Sequence, residues 1–517
     1  MTKSNSILPL GEMVVPNQAS SELANRSSCN YVSSTRNSSI YLKGCSYVTS
    51  VRNSQIYKRG SHVVTATGNT KGGKLFLAIL NVEEAGVYSE SRTQAFQVFL
   101  AQSSKSSYLY IFIYGLMVPI PALFALLLFS IPLQRPSSKV DENGMYFVVC
   151  LLGCTLVGYA MAYNLKAFFP ELKVGFVSKM IIGLTFGSSC TASIYVFGLV
   201  IGFPVPFAIT YPVVPALMAT LGMAHLLVRE QISEVENFSQ RFRDYMKFVA
   251  VVVSSIVLFP ALSVLAVQSM NPIIIALMAI SFPILKLVLR YVVYGTVQRS
   301  SAHLDIASKM CIFTVDFFGS LYLSMMMQTG TNYLIVGFII AFDVVLNCLY
   351  GWNLYSAVKK LPHGIWNTSC SDPRKHELRS KVLHMAEFVM LTEFVECMVP
   401  LIFLLWMWIS ILGPNRPFWA GLTEENISFE QSIQVTYNLL LLCLLEFGSL
   451  IMLMIALQIK CEMPIFKHLS FILQEDWKVM AGPMAILFLA AVFGQLEHFG
   501  YDYTFQFKWL DQATVVP

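Results

Sequence analysis

Residues 436–458 read TYNLLLLCLLEFGSLIMLMIALQ, an apolar run that contains one charged side chain, Glu446. A helix of about 20 such residues spans the roughly 30 Å hydrocarbon core of a bilayer. Ten further runs have the same character. They predict an all-α, polytopic membrane helix bundle with about eleven transmembrane helices, at 108–133, 145–164, 176–202, 205–228, 248–268, 272–294, 309–328, 333–355, 384–412, 436–458 and 480–498.

The composition of the whole chain agrees with this class. Of 517 residues, 55% are hydrophobic and 13% are charged, and the mean hydropathy is +0.60. A soluble domain carries about 25% charged residues, so this chain has too little polar surface for a soluble fold of its length. The composition excludes a soluble enzyme, a coiled coil, a DNA-binding domain and a disulfide scaffold. The 11 cysteines are scattered and form no C-x-x-C pair, which indicates small buried apolar side chains.

The first 107 residues differ from the rest. Residues 1–107 are rich in Ser and Asn and have a net charge of +6, and a 16-residue repeat relates 29–44 to 45–60. We predict a basic cytoplasmic tail that contacts anionic lipid headgroups rather than nucleic acid; a solvated, disordered tail is the alternative. The bundle then covers 108–498, and an aromatic tail, 499–517, is external. Deletion of residues 1–100 is expected to leave a protein that still inserts into the membrane.

Basic residues predict the orientation of the bundle. Outside the tail, seventeen Lys and Arg residues fall in the longer loops on one side, whereas four fall on the other. Cytoplasmic loops carry the excess of basic residues. The N-terminus is therefore predicted to be cytoplasmic and the C-terminus extracellular or lumenal, while the pair Arg135 and Lys139 after the first span points locally the other way.

Carboxylates within the spans are the main candidates for chemistry, because charges there are costly and are usually functional. Asp316 and Asp343 lie on two spans joined by a short hairpin, and the helical rise places them within about 3 Å of one depth. Glu446 is about as far from the outer end of its own span. Asn347 follows Asp343 by one turn and extends a polar stripe to Tyr350. We predict a cation or proton site at Asp316, Asp343, Asn347 and Glu446; the alternative is separate acids that hydrogen-bond to neighbouring helices.

A second group of charged residues gives further candidates. Glu393 and Glu396 are three residues apart on one span, and Lys286 and Arg290 are one turn apart on another. The two basic side chains either extend to lipid phosphates or pair with a carboxylate or an anionic substrate.

These residues favour a transporter or channel for a small solute, coupled to a cation or to protons. The alternative is a receptor or scaffold whose basic tail recruits partners. An enzyme is not expected, because no span presents a known nucleophile motif, and no cofactor or metal is predicted. Gly68–Lys74 matches G-x-x-x-x-G-K, but Leu75 stands where a P-loop needs Ser or Thr.

The C-terminal stretch Gly494–Trp509, GQLEHFGYDYTFQFKW, resembles the ending of a family of uncharacterised multi-pass membrane proteins from oomycetes. The resemblance covers the last helix and the tail. It implies a membrane protein and carries no further function.

Overall fold

The computed structural model describes residues 86–102, 107–136, 139–268, 272–300, 304–328, 333–362, 365–366, 372–424, 427–501 and 507. These residues all belong to one unit, Gly68–Pro517. The repeat predicted at 29–60 lies outside the described residues, as does most of the C-terminal tail.

The described residues form helices joined by turns. In chain order the helices are α1 (Glu90–Gln102), α2 (Ser107–Met117), α3 (Ile120–Leu128), α4 (Gly144–Phe168), α5 (Phe176–Ile201), α6 (Val213–Ile232), α7 (Phe238–Gln268), α8 (Pro272–Ser300), α9 (Ala307–Cys311), α10 (Phe317–Gln328), α11 (Tyr333–Val358), α12 (Pro373–Leu412), α13 (Phe429–Cys461) and α14 (Ile465–Phe493). A π-helical segment, Ile312–Asp316, joins α9 to α10 in one continuous helix.

Seven helical stretches are long and apolar enough to cross a membrane, judged by length and composition within the described residues. They are Tyr108–Leu128, Val140–Lys166, Phe176–Ile201, Val213–Ile232, Pro373–Leu412, Phe429–Cys461 and Ile465–Phe493. Each overlaps a span predicted from the sequence. Each of the other four predicted spans lies within a helix, in order α7, α8, the helix from α9 to α10, and α11.

Proline accounts for two differences from the predicted spans. The first span is two helices, α2 and α3, because Pro119 and Pro121 interrupt the hydrogen-bond ladder at the break. The fourth begins at Val213 rather than at residue 205, after a stretch that contains Pro204, Pro206 and Pro212.

Four helices, α7, α12, α13 and α14, start seven or more residues before their predicted spans, and two of these starts have a side-chain cap. Helix α12 begins at Pro373, where the Asp372 side chain accepts from the Arg374 N–H. Helix α13 begins with a capping box between Ser428 and Gln431. Helix α14 begins at Ile465 and ends at Phe493. The N-terminal parts of α12 and α14 contain charged residues, such as Arg374 and Asp476, and lie outside the apolar runs, so hydropathy alone underestimates the length of these helices.

Helices α12 and α14 form the centre of the bundle. Of the most apolar part of each, 61% and 72% is buried inside the protein, against 22–44% for the other five stretches that are long and apolar enough to cross a membrane. The outer helices α5 and α13 instead expose large apolar side chains, such as Val200 and Met452, at 79% and 69% exposure. Apolar surface of this extent suits contact with lipid.

Helix α1 lies against this centre. Phe96 is fully buried and contacts the rings of His468 and Phe471 of α14. Tyr88, just before α1, is 3% exposed and its N–H donates to the Ser380 carbonyl of α12. The described part of the predicted tail therefore packs on the bundle.

Candidate functional site

Helix α8 carries three polar side chains at intervals of four residues, Lys286, Arg290 and Tyr294. This spacing places them on one face of the helix. All three are buried, and Arg290 is 2% exposed. A buried Lys and Arg require counterions, because the charged form loses its hydration.

Asp316 supplies one counterion from the end of the π-helical segment. Its Oδ1 accepts from Arg290 Nε at 2.6 Å and lies 3.6 Å from Lys286 Nζ. Lys286 also pairs with Glu396 of α12, and Arg290 Nη1 donates to the Tyr350 hydroxyl of α11 at 3.0 Å. These five residues are called the Asp316 cluster below. They join four helical segments through two cations and two carboxylates.

The π-helical segment has a positional role in this arrangement. A π turn changes the register of the residues that follow it and is often found at functional sites. Lys309 precedes the segment and Asp316 ends it, and the two side chains meet different partners: Lys309 contacts Glu387, whereas Asp316 contacts Arg290. The segment thus allows one helix to contact α12 through Lys309 and α8 through Asp316.

The remaining sequence candidates differ in burial. Glu393 is fully buried and Glu446 is 9% exposed. Asn347 of α11 is half-buried. The side chain of Asp343 lies outside the described residues, so its predicted place beside Asp316 stays a prediction.

The surroundings of Asp316 differ from the predicted set of neighbouring acids. Its described ion pairs are with Lys286 and Arg290, because these side chains point inward from α8. Of the two interpretations of Lys286 and Arg290, pairing with carboxylates is therefore the one observed. Glu396 enters the cluster through Lys286.

A second buried cluster surrounds Glu387 of α12. Lys309 Nζ lies 2.9 Å from Glu387 and 3.2 Å from Asp476 of α14. Arg92 Nη2 of α1 lies 3.0 Å from Glu387 and 2.5 Å from Asp476. The Tyr88 hydroxyl also donates to Glu387. These five residues are called the Glu387 cluster below, and Glu387 and Lys309 are fully buried within it.

Hydrogen bonds extend the Glu387 cluster on several sides. Ser308 donates to Glu387 Oε1 at 2.8 Å, and Tyr88 lies 2.9 Å from His468 Nε2. One turn before Glu387, His384 Nε2 lies 2.9 Å from the Tyr294 hydroxyl. Tyr294 lies one helical turn after Arg290 on α8. Helices α8 and α12 therefore each carry residues that belong to one cluster and residues that belong to, or lie beside, the other.

The electrostatics of α1 and its preceding turn follow from these contacts. Burial raises the pKa of Tyr88 well above its ordinary value, and the Glu387 carboxylate adds to this. Burial alone lowers the pKa of Arg92, but Asp476 and Glu387 more than offset it and raise that pKa well above its ordinary value. Tyr88 is therefore a neutral donor, and Arg92 a permanent cation.

Sequence reasoning missed the Glu387 cluster because its members come from segments with different predicted roles. Arg92 falls in the predicted tail and Lys309 at the first residue of the predicted span 309–328, whereas Glu387 is followed by the more central Glu393 and Glu396. One signal was available: His468 and Asp476 lie eight residues apart on the same face of α14. In the described part of the chain, no group of three or more His, Cys, Asp or Glu side chains could hold a metal ion.

No family model, curated protein or solved structure matches the chain.

Proposed function

We propose that this chain is a polytopic membrane transporter for a small solute, coupled to a cation or to protons through the Asp316 cluster. The observation that carries this proposal is the burial of two cations and two carboxylates among apolar helices, at Lys286, Arg290, Asp316 and Glu396. Charged groups at such positions mark ion and substrate pathways in membrane proteins.

The free energy of folding gives little reason for a protein to bury such a cluster of charges. Replacing a buried ion pair by apolar groups of similar volume is often neutral or stabilising. A cluster with a working role has a different justification, since its charges exchange partners when a substrate or ion binds. Lys286 is placed for that exchange, because its ammonium contacts both Asp316 and Glu396. A proton or cation that neutralises one carboxylate would direct Lys286 toward the other.

We further propose that all eleven helical segments cross the bilayer, including α7, α8, the helix from α9 to α10, and α11. The excess of basic residues then places the N-terminus in the cytoplasm and the C-terminus outside. The chain contacts the lipid bilayer along its apolar surface and anionic headgroups at its cytoplasmic loops and tail. Asp343, Asn347, Glu393 and Glu446 stay candidates for the solute or ion site, and no enzymatic step is proposed.

The test is flux into proteoliposomes that hold a trapped pH-sensitive dye. A panel of small neutral, cationic and anionic solutes is supplied under an imposed membrane potential, and both the uptake of each solute and the solute-dependent change of the internal pH are recorded. Glu396→Gln is the informative variant, since Lys286 retains Asp316 as a counterion. Glu430→Gln, at an exposed position in the first turn of α13, is the matched control.

We expect solute-dependent proton movement in the wild type and in Glu430→Gln, and its loss in Glu396→Gln. Asp343→Asn, run in the same assay, tests the candidate whose side chain is not described. An absence of flux for every solute in folded, reconstituted wild-type protein contradicts transport and favours the receptor or scaffold alternative.

A further inference from the structure

The segment Gly86–Gln102, which consists of α1 and the turn before it, is called the N-terminal segment below. Its composition is that of a polar tail, yet Tyr88, Thr93 and Phe96 are 3%, 0% and 0% exposed. It precedes the first apolar helix, so it is the last part of the N-terminal region before the bundle begins.

Three helical elements hold this segment through polar contacts. Arg92 lies between Glu387 of α12 and Asp476 of α14. The N–H of Ser89 donates to Asp305 Oδ1 at 2.8 Å and its hydroxyl to Oδ2 at 2.5 Å, just before α9. Glu387 and Asp476 lie in the N-terminal halves of α12 and α14, and Asp305 just precedes α9, so the segment ties three helical elements together.

The bundle keeps a cation for these carboxylates even without Arg92. Lys309 contacts both Glu387 and Asp476 from α9 and is itself fully buried. Withdrawal of the segment therefore leaves neither carboxylate without a basic partner. It leaves the set of Lys309, Glu387 and Asp476 with one negative charge in excess.

We propose that the N-terminal segment is a closing element of the bundle, with Arg92 as a tethered cation that occupies an entry lined by Glu387 and Asp476. When the segment withdraws, the entry opens and a cation from the surrounding water takes the place of the guanidinium. The proposal rests on the proposed function only for the activity that is gated, which is solute flux. The opening itself is a property of the fold and is measured separately.

Hydrogen–deuterium exchange of the full chain in lipid nanodiscs tests the opening. Arg92→Gln removes the tethered charge, and Ser89→Ala removes the hydroxyl's hydrogen bond to Asp305 while the bond from the Ser89 N–H remains. Arg135→Gln, at an exposed arginine, is the matched control. Loss of one charged hydrogen bond shifts a local opening equilibrium by about tenfold or more.

The expected result is exchange in Gly86–Gln102 that is about tenfold or more faster in Arg92→Gln, and faster to a smaller extent in Ser89→Ala. Exchange in the central parts of α12 and α14 stays as in the wild type and in Arg135→Gln. The two variants are also expected to raise flux in the proteoliposome assay.

Two results overturn the proposal. The first is that, in Ser89→Ala, exchange becomes faster in α12 and α14 as well as in the N-terminal segment. That result would make the segment part of the structural core. The second is a segment as strongly protected in Arg92→Gln as in the wild type. If no variant shows flux but the segment opens selectively, the closing element stands and the proposed transport fails.

Discussion

At the scale of single residues, Arg290 and Asp316 depend on each other, because both are almost fully buried and joined at 2.6 Å. Asp316→Asn leaves the guanidinium without its nearest carboxylate, and breaking a buried pair in this way costs about 3–5 kcal/mol. We expect a clearly lower thermal midpoint for the purified variant in detergent. The double variant Arg290→Met with Asp316→Asn removes both charges and should regain much of that loss. A single variant as stable as the wild type would contradict the described pairing.

His498 gives the protein a dependence on pH. It lies after α14, fully buried, with Nε2 at 2.7 Å from the Gln134 carbonyl. Burial lowers the pKa of His498 to about 4, although the contact with Gln134 acts in the opposite direction. The folded protein thus keeps a neutral imidazole where an unfolded chain takes up a proton below its usual pKa of about 6.5.

Stability is therefore expected to fall as the pH decreases from about 6.5 to about 4, by roughly 1.4 kcal/mol per pH unit from this group. His498→Asn cannot take up the proton and should show a smaller decrease in thermal midpoint between pH of about 7.5 and about 5. The measurement is thermal unfolding of both proteins at the two pH values. Equal decreases in the two proteins would assign the pH dependence to other groups.

At the scale of elements, α4 and α5 approach closely through Gly183 and Gly187, which are four residues apart on α5. A Cβ atom at Gly187 would lie 2.8 Å from the Leu151 carbonyl oxygen and 2.9 Å from the Thr155 nitrogen, both backbone atoms of α4. Small residues at this spacing let membrane helices pack backbone to backbone. The contact fixes α5 against α4 rather than against the centre of the bundle.

Gly187→Ala is therefore expected to lower the thermal midpoint, because the two helices must separate. Gly222→Ala in α6 is the control, since a Cβ atom there meets nothing within 4 Å. An alanine in an open helical position is neutral or stabilises by about 0.5–1 kcal/mol. Similar midpoints for the two variants would show that α4 and α5 are not held at this distance.

At the scale of the whole molecule, the proposed orientation divides the five N-glycosylation sequons. Asn426-Ile427-Ser428 follows α12 and is external, whereas Asn25, Asn37, Asn237 and Asn367 are cytoplasmic. Expression in a glycosylating cell followed by glycan mapping should find Asn426 modified and the other four bare. A glycan on Asn37 together with a bare Asn426 would mean that the orientation is inverted.

Two truncations test how the N-terminal region relates to the bundle. Deletion of residues 1–67 retains the N-terminal segment and is expected to leave both insertion and stability unchanged. Deletion of residues 1–100 also removes Tyr88, Arg92 and Phe96. The bundle should still insert, because Lys309 remains with the two carboxylates, but its thermal midpoint should be lower. Membrane fractionation and thermal unfolding measure the two properties, and loss of insertion in the longer deletion would make the segment essential for folding.

Hydropathy determined most of the architecture from the sequence. The apolar run at 436–458 lies inside α13, and that at 176–202 almost coincides with α5, because a bilayer-spanning helix must satisfy its own backbone and present apolar side chains along its whole length. The predicted ends of the helices are less accurate. Helix α12 starts at Pro373 and α14 at Ile465, because the charged residues in the N-terminal parts of both helices interrupt the apolar run.

For the charged residues too, the sequence and the tertiary structure supply different information. The sequence alone identified Asp316, Lys286, Arg290 and Glu396 as charges within apolar runs, since that depends only on local composition. Only the tertiary structure decided that they are partners, because pairing depends on the rotation of four helical segments about their axes, which hydropathy does not report. It also decided that Arg92, from a polar segment before the first span, reaches Glu387 and Asp476, since that contact joins residues almost 300 and 400 positions apart.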